Sequence, residues 1–298
     1  HSFPTRRSSD LVMRGGLFRN IAVGSTVLWI ATFVVVPYLF VLLFSLLAHD
    51  PVTTVSFSLR LDGYRDLVSD VFVRVCARSL FLALAATVIT LVVSYPFAYF
   101  LGSIPERPRK ILLLLMIIPF WTSSLIRTYA LIILLKANGI VNSLLMAAGL
   151  AREPLELLYT QGAVFAGLVY TLLPFMILPI YSSIQKLDWR LVEAARDLGA
   201  TPLQIFTRIV LPLTMPGILA GSTMVFLPAL GLFYIPDFLG GARSMLIGNY
   251  IKDQYLVAGN WAAGSAASVV LTLILCLFLY GYYLSAKKAR AQGLGEAP

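Results

Sequence analysis

The most informative group of side chains in this chain lies in one polar segment between long apolar runs. It contains the stretch Glu193-Ala194-Ala195-Arg196-Asp197-Leu198-Gly199, with Ile209-Val210-Leu211-Pro212 shortly after it. A helix would place the carboxylates of Glu193 and Asp197, at positions i and i+4, on one face. The small residues Ala194, Ala195, Gly199 and Ala200 would leave a surface on which another protein can pack closely. The segment therefore predicts a docking element.

Residues that could catalyse a reaction or hold a metal ion are few and scattered. Two cysteines, Cys76 and Cys276, and two histidines, His1 and His49, are too few for a disulfide framework, a zinc site or a Cys/His dyad. The apolar runs contain no Asp, Glu, His or Lys, which disfavours an intramembrane enzyme. No Gly-Lys pair occurs, so the chain cannot cradle ATP phosphates by the usual loop. We expect no catalytic residue, no metal and no cofactor.

Composition predicts an integral membrane protein. The chain is 59% hydrophobic and 12% charged, and its mean hydropathy is +0.85; that charge usage is about half that of a soluble domain. Six apolar runs are long enough to cross a bilayer as helices. We therefore expect an all-α polytopic protein with six transmembrane helices, over residues 21–48, 79–101, 111–135, 161–184, 213–235 and 262–285.

Five prolines of the third, fourth and fifth runs lie where neighbouring helices can satisfy the freed carbonyl groups. We interpret them as packing kinks in preference to gating elements. They are Pro119, Pro174, Pro179, Pro216 and Pro228.

Lysine and arginine are about twice as dense in one set of connections as in the other, which predicts the orientation of the chain. Residues 13–20, 102–110, 185–212 and 286–298 form the denser set, and residues 49–78, 136–160 and 236–261 form the other. We therefore place both termini and the polar segment in the cytoplasm. This topology accounts for the net charge of +9, so no nucleic-acid partner is needed to explain it.

Capping signals predict that the polar segment folds as two short helices meeting at a glycine. Asp188 is a good N-cap for the first helix, and Gly199 stands where a left-handed residue would end it. Thr201-Pro202-Leu203-Gln204 supplies an N-cap, a proline at the first helical position and a capping-box glutamine. We call residues 185–212 the polar loop. A well-capped surface linker without a partner is the alternative interpretation.

Within the polar loop, Glu193-Ala194-Ala195 is followed after three residues by Gly199 and after nine more by Ile209-Val210-Leu211-Pro212. This spacing resembles the EAA loop of ABC-importer permeases. Other stretches resemble the spermidine/putrescine permeases of that family, the PotB type. These stretches are residues 119–127, 168–176, 181–184 and 227–237. The resemblance covers nearly all of Met13 to Arg290 and implies one ABC permease transmembrane domain over residues 13–298, with the MetI-like type I importer fold.

The resemblance implies an inner-membrane permease subunit that forms half of a translocation pore for polyamines. The polar loop would then be the coupling loop, which joins the pore to a cytoplasmic ATPase; ATP hydrolysis would belong to that partner, and this chain would not be an enzyme. The implied partners are a sister permease of the PotC type, two ATP-binding subunits, a periplasmic polyamine-binding protein and the lipid bilayer.

A polyamine path needs carboxylates for the ammonium groups and aromatic faces for cation–π contact. Phe233, Tyr234 and Asp237 cluster at the outer end of the fifth run, and we expect them to line the path, with Trp121 as a weaker candidate across the pore. An interfacial aromatic belt with an ordinary loop aspartate is the alternative.

Arg127 lies within the third run, where a charged residue is costly and usually faces a cavity or a partner. A free guanidinium would repel a polyamine, so we expect Arg127 to pair with a carboxylate or carbonyl groups, or to reach outward, in a structural role. The same residue supports a second hypothesis, an ABC permease for an oxyanion with Arg127 as a ligand. A secondary transporter is a third, although it has no need of an EAA-type loop.

The sequence also gives predictions for the first residues of the chain and for the connection 49–78. Residues 1–11 are rich in Ser, Arg and Pro and predict neither a signal peptide nor a helix. We expect residues 1–12 to be a non-native segment derived from a sequencing adapter, with Met13 as the native start. The connection 49–78 alternates Asp and Arg and spaces apolar residues at helical intervals, which predicts a short amphipathic helix at the membrane surface.

Overall fold

The computed structural model describes residues 8–48, 56–59, 61–241 and 245–291, and most of these residues are helical. Among them, six helical stretches are long and apolar enough to cross a membrane, judged by length and composition. The predicted all-α protein with six spans is confirmed. The spans are Arg19–Ser45, Asp70–Ser103, Ser124–Ala147, Gln161–Gln185, Pro202–Gly231 and Trp261–Ser285.

The elements within these spans and connections follow in chain order. They are α1 (Ser8–Ile30), a π turn (Ala31–Val35), α2 (Val36–Ser45), β1 (Leu47–Ala48), β2 (Ser56–Leu59), α3 (Asp62–Leu67), α4 (Asp70–Ser103), α5 (Glu106–Ile117), a 3-10 turn (Ile118–Trp121), α6 (Ser124–Leu135), α7 (Ile140–Ala147), α8 (Gln161–Gln185), α9 (Trp189–Asp197), α10 (Pro202–Ile205), a π turn (Phe206–Val210), α11 (Leu211–Gly231), a π turn (Pro236–Gly240), α12 (Ile247–Leu256) and α13 (Trp261–Ala291). β1 and β2 form a small antiparallel ladder.

The core is built where α4, α8 and α11 pack together. Two glycines of α11 allow close approach to α8: a Cβ at Gly221 would lie 2.8 Å from the Met176 sulfur, and one at Gly217 would lie 2.6 Å from the Pro179 carbonyl oxygen. Small residues at such crossings let helix backbones approach in a membrane, where packing drives association. These three helices therefore form the rigid frame to which the other elements attach.

Connections predicted for one side of the membrane contact each other near the start of α4, and connections predicted for the other side contact each other near its end. Near its first turns, α4 packs with α3, α12 and the start of α13, and the Ile247 amide donates to Ser79 Oγ at 2.8 Å. Near its last turn, Gly102 lies against Ile184 at the end of α8 and against Trp189 of the polar loop. These contacts join the connection 102–110 to the polar loop and the connection 49–78 to 236–261, two of the pairings that the charge distribution predicted.

The third span differs from the single helix predicted over residues 111–135. α5 ends at Ile117, a 3-10 turn carries the chain through Pro119, and α6 begins only at Ser124. Thr122 and Ser123 have extended backbone between the helices. Proline lacks the amide hydrogen that would continue the helix, and the two extended residues turn a kink into a break. Other prolines, such as Pro96 and Pro174, stay inside continuous helices.

Two more helices, α1 and α4, begin earlier than the sequence predicts. α1 already begins at Ser8, so the prediction of no helix over residues 1–11 is wrong for Ser8–Leu11. No Gly or Pro in these four residues stops the following helix from extending. Residues 1–7 lie outside the described part. In the connection 49–78 the short helix α3 ends at Leu67, and Ser69 caps α4, which therefore begins well before the predicted start of the second span. Residues 49–55 and 60 lie outside the described part.

Candidate functional site

The first helix of the polar loop ends in the glycine-closed geometry that its sequence predicts. Asp188 Oδ1 accepts a hydrogen bond of 3.0 Å from the Arg190 amide at the start of α9. At the other end Gly199 has φ +79, in the left-handed region, which a residue without Cβ adopts at little cost. The Gly199 amide donates to the Arg196 carbonyl at 2.9 Å, and the Ala200 amide donates to the Ala195 carbonyl at 3.0 Å. Both bonds belong to the Schellman motif, so the helix end is fixed.

The second helix starts with the predicted capping box. The Thr201 amide donates to Gln204 Oε1 at 2.9 Å, and the Gln204 amide donates to Thr201 Oγ1 at 3.3 Å. Pro202 stands at the first helical position. A π turn over Phe206–Val210 then leads without interruption into α11. The polar loop is therefore a defined helix-turn-helix element, as its capping residues predicted.

The polar loop has a small core of its own, which separates the predicted docking residues into two groups. Its buried apolar side chains are Leu187, Val192, Ile205 and Val210. Ala195 and Ala200 are half-buried and pack against this core, whereas Glu193, Ala194, Asp197 and Gly199 are exposed. Two of the four small residues thus hold the two helices together, and the other two remain at the surface.

Exposed leucines accompany these residues on the surface of the polar loop. Leu198 is 89% exposed and Leu203 is 71% exposed, and Leu191 is also exposed. The polar loop thus exposes large apolar side chains as well as the carboxylates of Glu193 and Asp197, a combination that is typical of a protein interface. Sequence reasoning did not select these leucines, although their position in a charged segment was a usable signal.

At the opposite end of α11, one carboxylate organises a group of polar and aromatic side chains. Asp237 Oδ2 accepts a hydrogen bond of 2.6 Å from the Lys252 ammonium, and Asp237 Oδ1 accepts one from Asn249 Nδ2. Asn249 also donates to the Phe233 carbonyl at 2.7 Å. Lys252 Nζ lies 3.1 Å from Asp253 Oδ1 and 5.9 Å from the centre of the Phe233 ring. We call Phe233, Asp237, Asn249, Lys252 and Asp253 the Asp237 cluster.

The Asp237 cluster surrounds one alkylammonium group with two carboxylates and an aromatic ring. The side chains of Lys252 and Asp237 are 25% and 33% exposed, so the pair is partly shielded from water but open on one side. The hydrogen bond that Lys252 donates to Asp237 raises the pKa of Lys252; partial burial opposes this effect and Asp253 adds to it. The arrangement can therefore bind a primary ammonium attached to a carbon chain.

Of the predicted path residues, Phe233 and Asp237 belong to the Asp237 cluster, whereas Tyr234 and Trp121 lie outside it. Tyr234 is half-buried, with its ring perpendicular to that of Phe233 at 6.2 Å between centroids. Trp121, in the 3-10 turn, is 81% exposed. Among the described side chains, no ring pair or hydrogen bond joins Trp121 to the Asp237 cluster.

The Arg127 side chain contacts an aromatic ring in place of the predicted carboxylate or carbonyl partner. Its guanidinium carbon lies 4.7 Å from the centre of the Phe120 ring, and its Nε is buried with no hydrogen-bond partner in the described part of the chain. Within residues 8–48, 56–59, 61–241 and 245–291 no carboxylate or carbonyl partner of Arg127 is found, and the other predicted alternative, a side chain that reaches outward, stays a prediction for this half-exposed residue. The break at Pro119 explains the difference, because the 3-10 turn places Phe120 beside the first turns of α6.

Three members of the Asp237 cluster were missed by sequence reasoning. Asn249, Lys252 and Asp253 lie on one face of α12, and only the fold brings that face to Asp237. A polar stripe at i, i+3 and i+4 in a connection between apolar runs was the available signal. Within the described ranges, no group of three or more His, Cys, Asp or Glu side chains could hold a metal ion.

Comparison with known proteins identifies relatives over nearly the whole chain. Residues 94–290 match a sequence profile described as binding-protein-dependent transport system inner membrane component. The chain is 47% identical over 270 residues to the spermidine/putrescine transport system permease protein PotB of Salmonella typhimurium (strain SL1344), covering 91% of this chain and 94% of that protein. It is 48% identical over 259 residues to PotB of Escherichia coli (strain K12), covering 87% and 94%.

The fold is similar to that of a solved transporter. A chain in the crystal structure of a bacterial alginate ABC transporter, in complex with an alginate pentasaccharide-bound periplasmic protein, superposes with a TM-score of 0.75. The match covers 95% of this chain and 99% of that chain, at 18% sequence identity. At this identity the similarity establishes the architecture alone.

Proposed function

Because this chain belongs to the family of binding-protein-dependent transport system inner membrane components, we propose that it forms half of the pore of an ABC importer for polyamines. The chain is a multi-pass inner-membrane permease subunit. Its relatives at 46% to 48% identity are named as spermidine/putrescine permeases, and they align over nine-tenths of its length. We assign the same substrate class to this chain.

The observation that carries the substrate class is the Lys252 ammonium in the Asp237 cluster. A lysine side chain is an alkylammonium, so it has the same charged group and methylene chain as the end of a polyamine. Asp237, Asp253 and the Phe233 ring hold this group in the folded chain. We assign Asp237 and Phe233 to the substrate path, where an incoming ammonium exchanges with that of Lys252; Tyr234 and Trp121 flank this position.

The polar loop couples the pore to ATP hydrolysis in a separate subunit. Its exposed residues Glu193, Ala194, Asp197 and Gly199, together with Leu198 and Leu203, form the surface for a cytoplasmic ATP-binding subunit. Ala195 and Ala200 support this surface from beneath. The complete importer in this proposal contains a PotC-type sister permease, two ATP-binding subunits and a periplasmic polyamine-binding protein, with both termini of this chain in the cytoplasm.

A second candidate function, import of an oxyanion, has one specific observation in its favour. The Arg127 Nε is buried without a hydrogen-bond partner in the described residues, so the guanidinium retains a donor that an anion could use. The Phe120 ring, however, already stabilises the charge by a cation–π contact. A single cation with an aromatic partner makes a weaker case than the two carboxylates around Lys252.

Uptake by the complete importer in proteoliposomes separates these functions. Radiolabelled spermidine, putrescine and sulfate are supplied with the binding protein, with ATP inside or with an ion gradient alone. We expect ATP-dependent polyamine uptake and no sulfate uptake. Asp237→Asn should reduce polyamine uptake at least tenfold, about the 1.4 kcal/mol scale of one charged hydrogen bond, and Tyr234→Ala should reduce it less.

Glu153→Gln provides a matched control, because it removes an exposed carboxylate from a connection on the same side of the chain as Asp237. Its uptake should equal that of the parent. Unchanged polyamine uptake in both Asp237→Asn and Tyr234→Ala would remove these residues from the path. Sulfate uptake that depends on Arg127 would support the oxyanion permease, and uptake driven by an ion gradient without ATP would support a secondary transporter.

A further inference from the structure

One face of α4 is shaped to receive the polar loop. Tyr95, Tyr99 and Gly102 stand at positions i, i+4 and i+7, so their side chains share a face of the helix. At Gly102 a Cβ would collide with Ile184 Cγ2 and would also lie 4.0 Å from Trp189 Cζ2. The last turn of α4 therefore fits against the end of α8 and the beginning of the polar loop only because residue 102 has no side chain.

The two tyrosines of this face contact the two aromatic side chains of the polar loop. The Tyr99 and Trp189 rings are 6.0 Å apart between centroids, at the start of α9. The Tyr95 and Phe206 rings are 5.4 Å apart and perpendicular, where the π turn begins. These separations and angles are those of attractive aromatic pairs. We call Tyr95, Tyr99, Trp189 and Phe206 the aromatic cluster.

A buried hydrogen-bond chain extends the aromatic cluster to the start of α11. Thr214 Oγ1 donates to the Val210 carbonyl at 2.8 Å, so its lone pairs are available to the Tyr95 hydroxyl, which lies 2.8 Å away. Tyr95 is therefore the donor in this pair. Both hydroxyl groups are buried, where an unpaired polar group is costly. Tyr95 thus connects α4 to the residue at which the π turn ends.

The attachment of the polar loop to α4 differs in kind from its attachment to the other spans. The loop continues directly into α8 at one end and into α11 at the other, and the connection to α11 passes through the π turn Phe206–Val210. Its connection to α4 is made by side chains, which include the two ring pairs of the aromatic cluster. π turns within helices are frequent at functional sites. Movement of the loop can therefore reach α4 only through packing.

We propose that Tyr95 and Tyr99 are positioning residues for energy coupling, because they transmit the movement of the polar loop to the second span, α4. This inference rests on the proposed function, in which an ATP-binding subunit moves the polar loop. The packed rings make the loop and the last turns of α4 one body, since close-packed side chains transmit displacement. The π turn then takes up the difference in movement between the loop and α11.

The test measures the coupling ratio, which is the number of polyamine molecules imported per ATP hydrolysed by the reconstituted importer. Tyr99→Ala should lower this ratio about three- to tenfold, the range that the loss of one aromatic pair gives, while ATP hydrolysis remains stimulated by the loaded binding protein. Tyr99→Phe keeps the ring and should restore the parental ratio. Tyr95→Phe keeps the contact with Phe206 but removes the hydroxyl, and it should lower the ratio by a smaller factor than Tyr99→Ala.

Phe100→Ala is the matched control, because Phe100 is the next aromatic residue on α4 and is 53% exposed. Its coupling ratio should equal that of the parent. Equal losses of hydrolysis and uptake in Tyr99→Ala, with an unchanged ratio, would overturn the proposal, since the cluster would then only stabilise the loop. If Tyr99→Ala does not assemble, Tyr99→Leu replaces it, and an unchanged ratio in that variant would have the same meaning.

The parent importer separates a failure of this inference from a failure of the proposed function. If the parent imports polyamine with ATP and Tyr99→Ala has the parental ratio, the inference fails and the proposed function stands. If the parent complex shows no ATP-dependent polyamine uptake, the proposed function itself is wrong. A lowered ratio in Tyr99→Ala that Tyr99→Phe restores supports both.

Discussion

Asp237 favours the charged form of Lys252. The Asp237 hydrogen bond raises the pKa of Lys252 above its ordinary value of 10.5. Because the folded-state pKa is the higher one, the stabilisation is fully present below the ordinary value and is lost only as pH rises through the raised value. Lys252 therefore stays an ammonium throughout the neutral range. In the proposed substrate path, an incoming ammonium therefore replaces Lys252 at Asp237 as a cation, without deprotonation of Lys252.

At the residue scale, Gly199 gives a prediction about backbone conformation. Its φ of +79 is costly for residues with a Cβ, although a Cβ there would have open space around it. Gly199→Ala should destabilise the polar loop by about 1 kcal/mol and lower the coupling ratio. Gly199→Asn should be milder, because asparagine tolerates the left-handed region.

Thermal unfolding of the purified chain and the coupling ratio of the importer measure the two effects of Gly199→Ala. Gly149→Ala is the control for a left-handed glycine outside the polar loop, since Gly149 has φ +71 and also has open space around it. It should change stability by a similar amount and leave the ratio unchanged. A normal ratio in Gly199→Ala, despite reduced stability, would show that the glycine closes the helix without affecting coupling.

At the scale of helices, the polar loop and the third span show what local signals can and cannot predict. The caps at Asp188, Gly199 and Thr201 were predicted correctly, because each depends on residues within one turn. Pro119 was predicted as a kink and is part of a break. Whether a proline bends a helix or ends it depends on the flanking backbone and on the surrounding packing, which local sequence does not specify.

The crossing of α8 and α11 gives a prediction at the same scale. Gly221→Leu would drive a side chain into Met176, whose sulfur would lie 2.8 Å from the new Cβ. We expect a loss of about 1–3 kcal/mol or failure to fold, measured by thermal unfolding and by the yield of monodisperse protein. Gly281→Leu on α13 is the control, because a Cβ there has nothing within 4 Å. Equal stability of the two variants would contradict close packing at Gly221.

At the scale of the whole molecule, the distribution of positive charge and the contacts agree on which connections share a side. The polar loop meets the last turn of α4, and the Asp237 cluster lies toward the other end, where α12 packs with the first turns of α4. Contacts alone do not say which end faces the cytoplasm. That orientation follows from the excess of lysine and arginine and is therefore testable by labelling.

The labelling prediction uses single cysteines in a chain with Cys76→Ser and Cys276→Ser. Lys186→Cys lies in the polar loop, and Glu153→Cys lies in the connection between the third and fourth spans; both positions are exposed. A maleimide that cannot cross membranes should label Glu153→Cys in intact spheroplasts and Lys186→Cys only after permeabilisation. The reverse pattern would place the polar loop outside and would rule out its contact with a cytoplasmic ATPase.

The sequence by itself determined the class, the number of spans and the local geometry of the polar loop, but not the bounds of the third span. Transfer of apolar runs into a membrane, the positive charge of connections and helix capping all depend on residues near one another in the chain. This is why six spans and the capped helices were predictable, and why the EAA-type spacing pointed to the correct family.

The tertiary structure alone decided which distant side chains meet. It placed Lys252 and Asn249 of α12 on Asp237, and it placed Tyr95 and Tyr99 of α4 on the aromatic residues of the polar loop. Such contacts depend on the rotation and register of whole helices, which are fixed by packing over many residues. The two tyrosines therefore carried no functional signal until the helices were assembled, and the polar stripe that contains Lys252 did not reveal Asp237 as its partner.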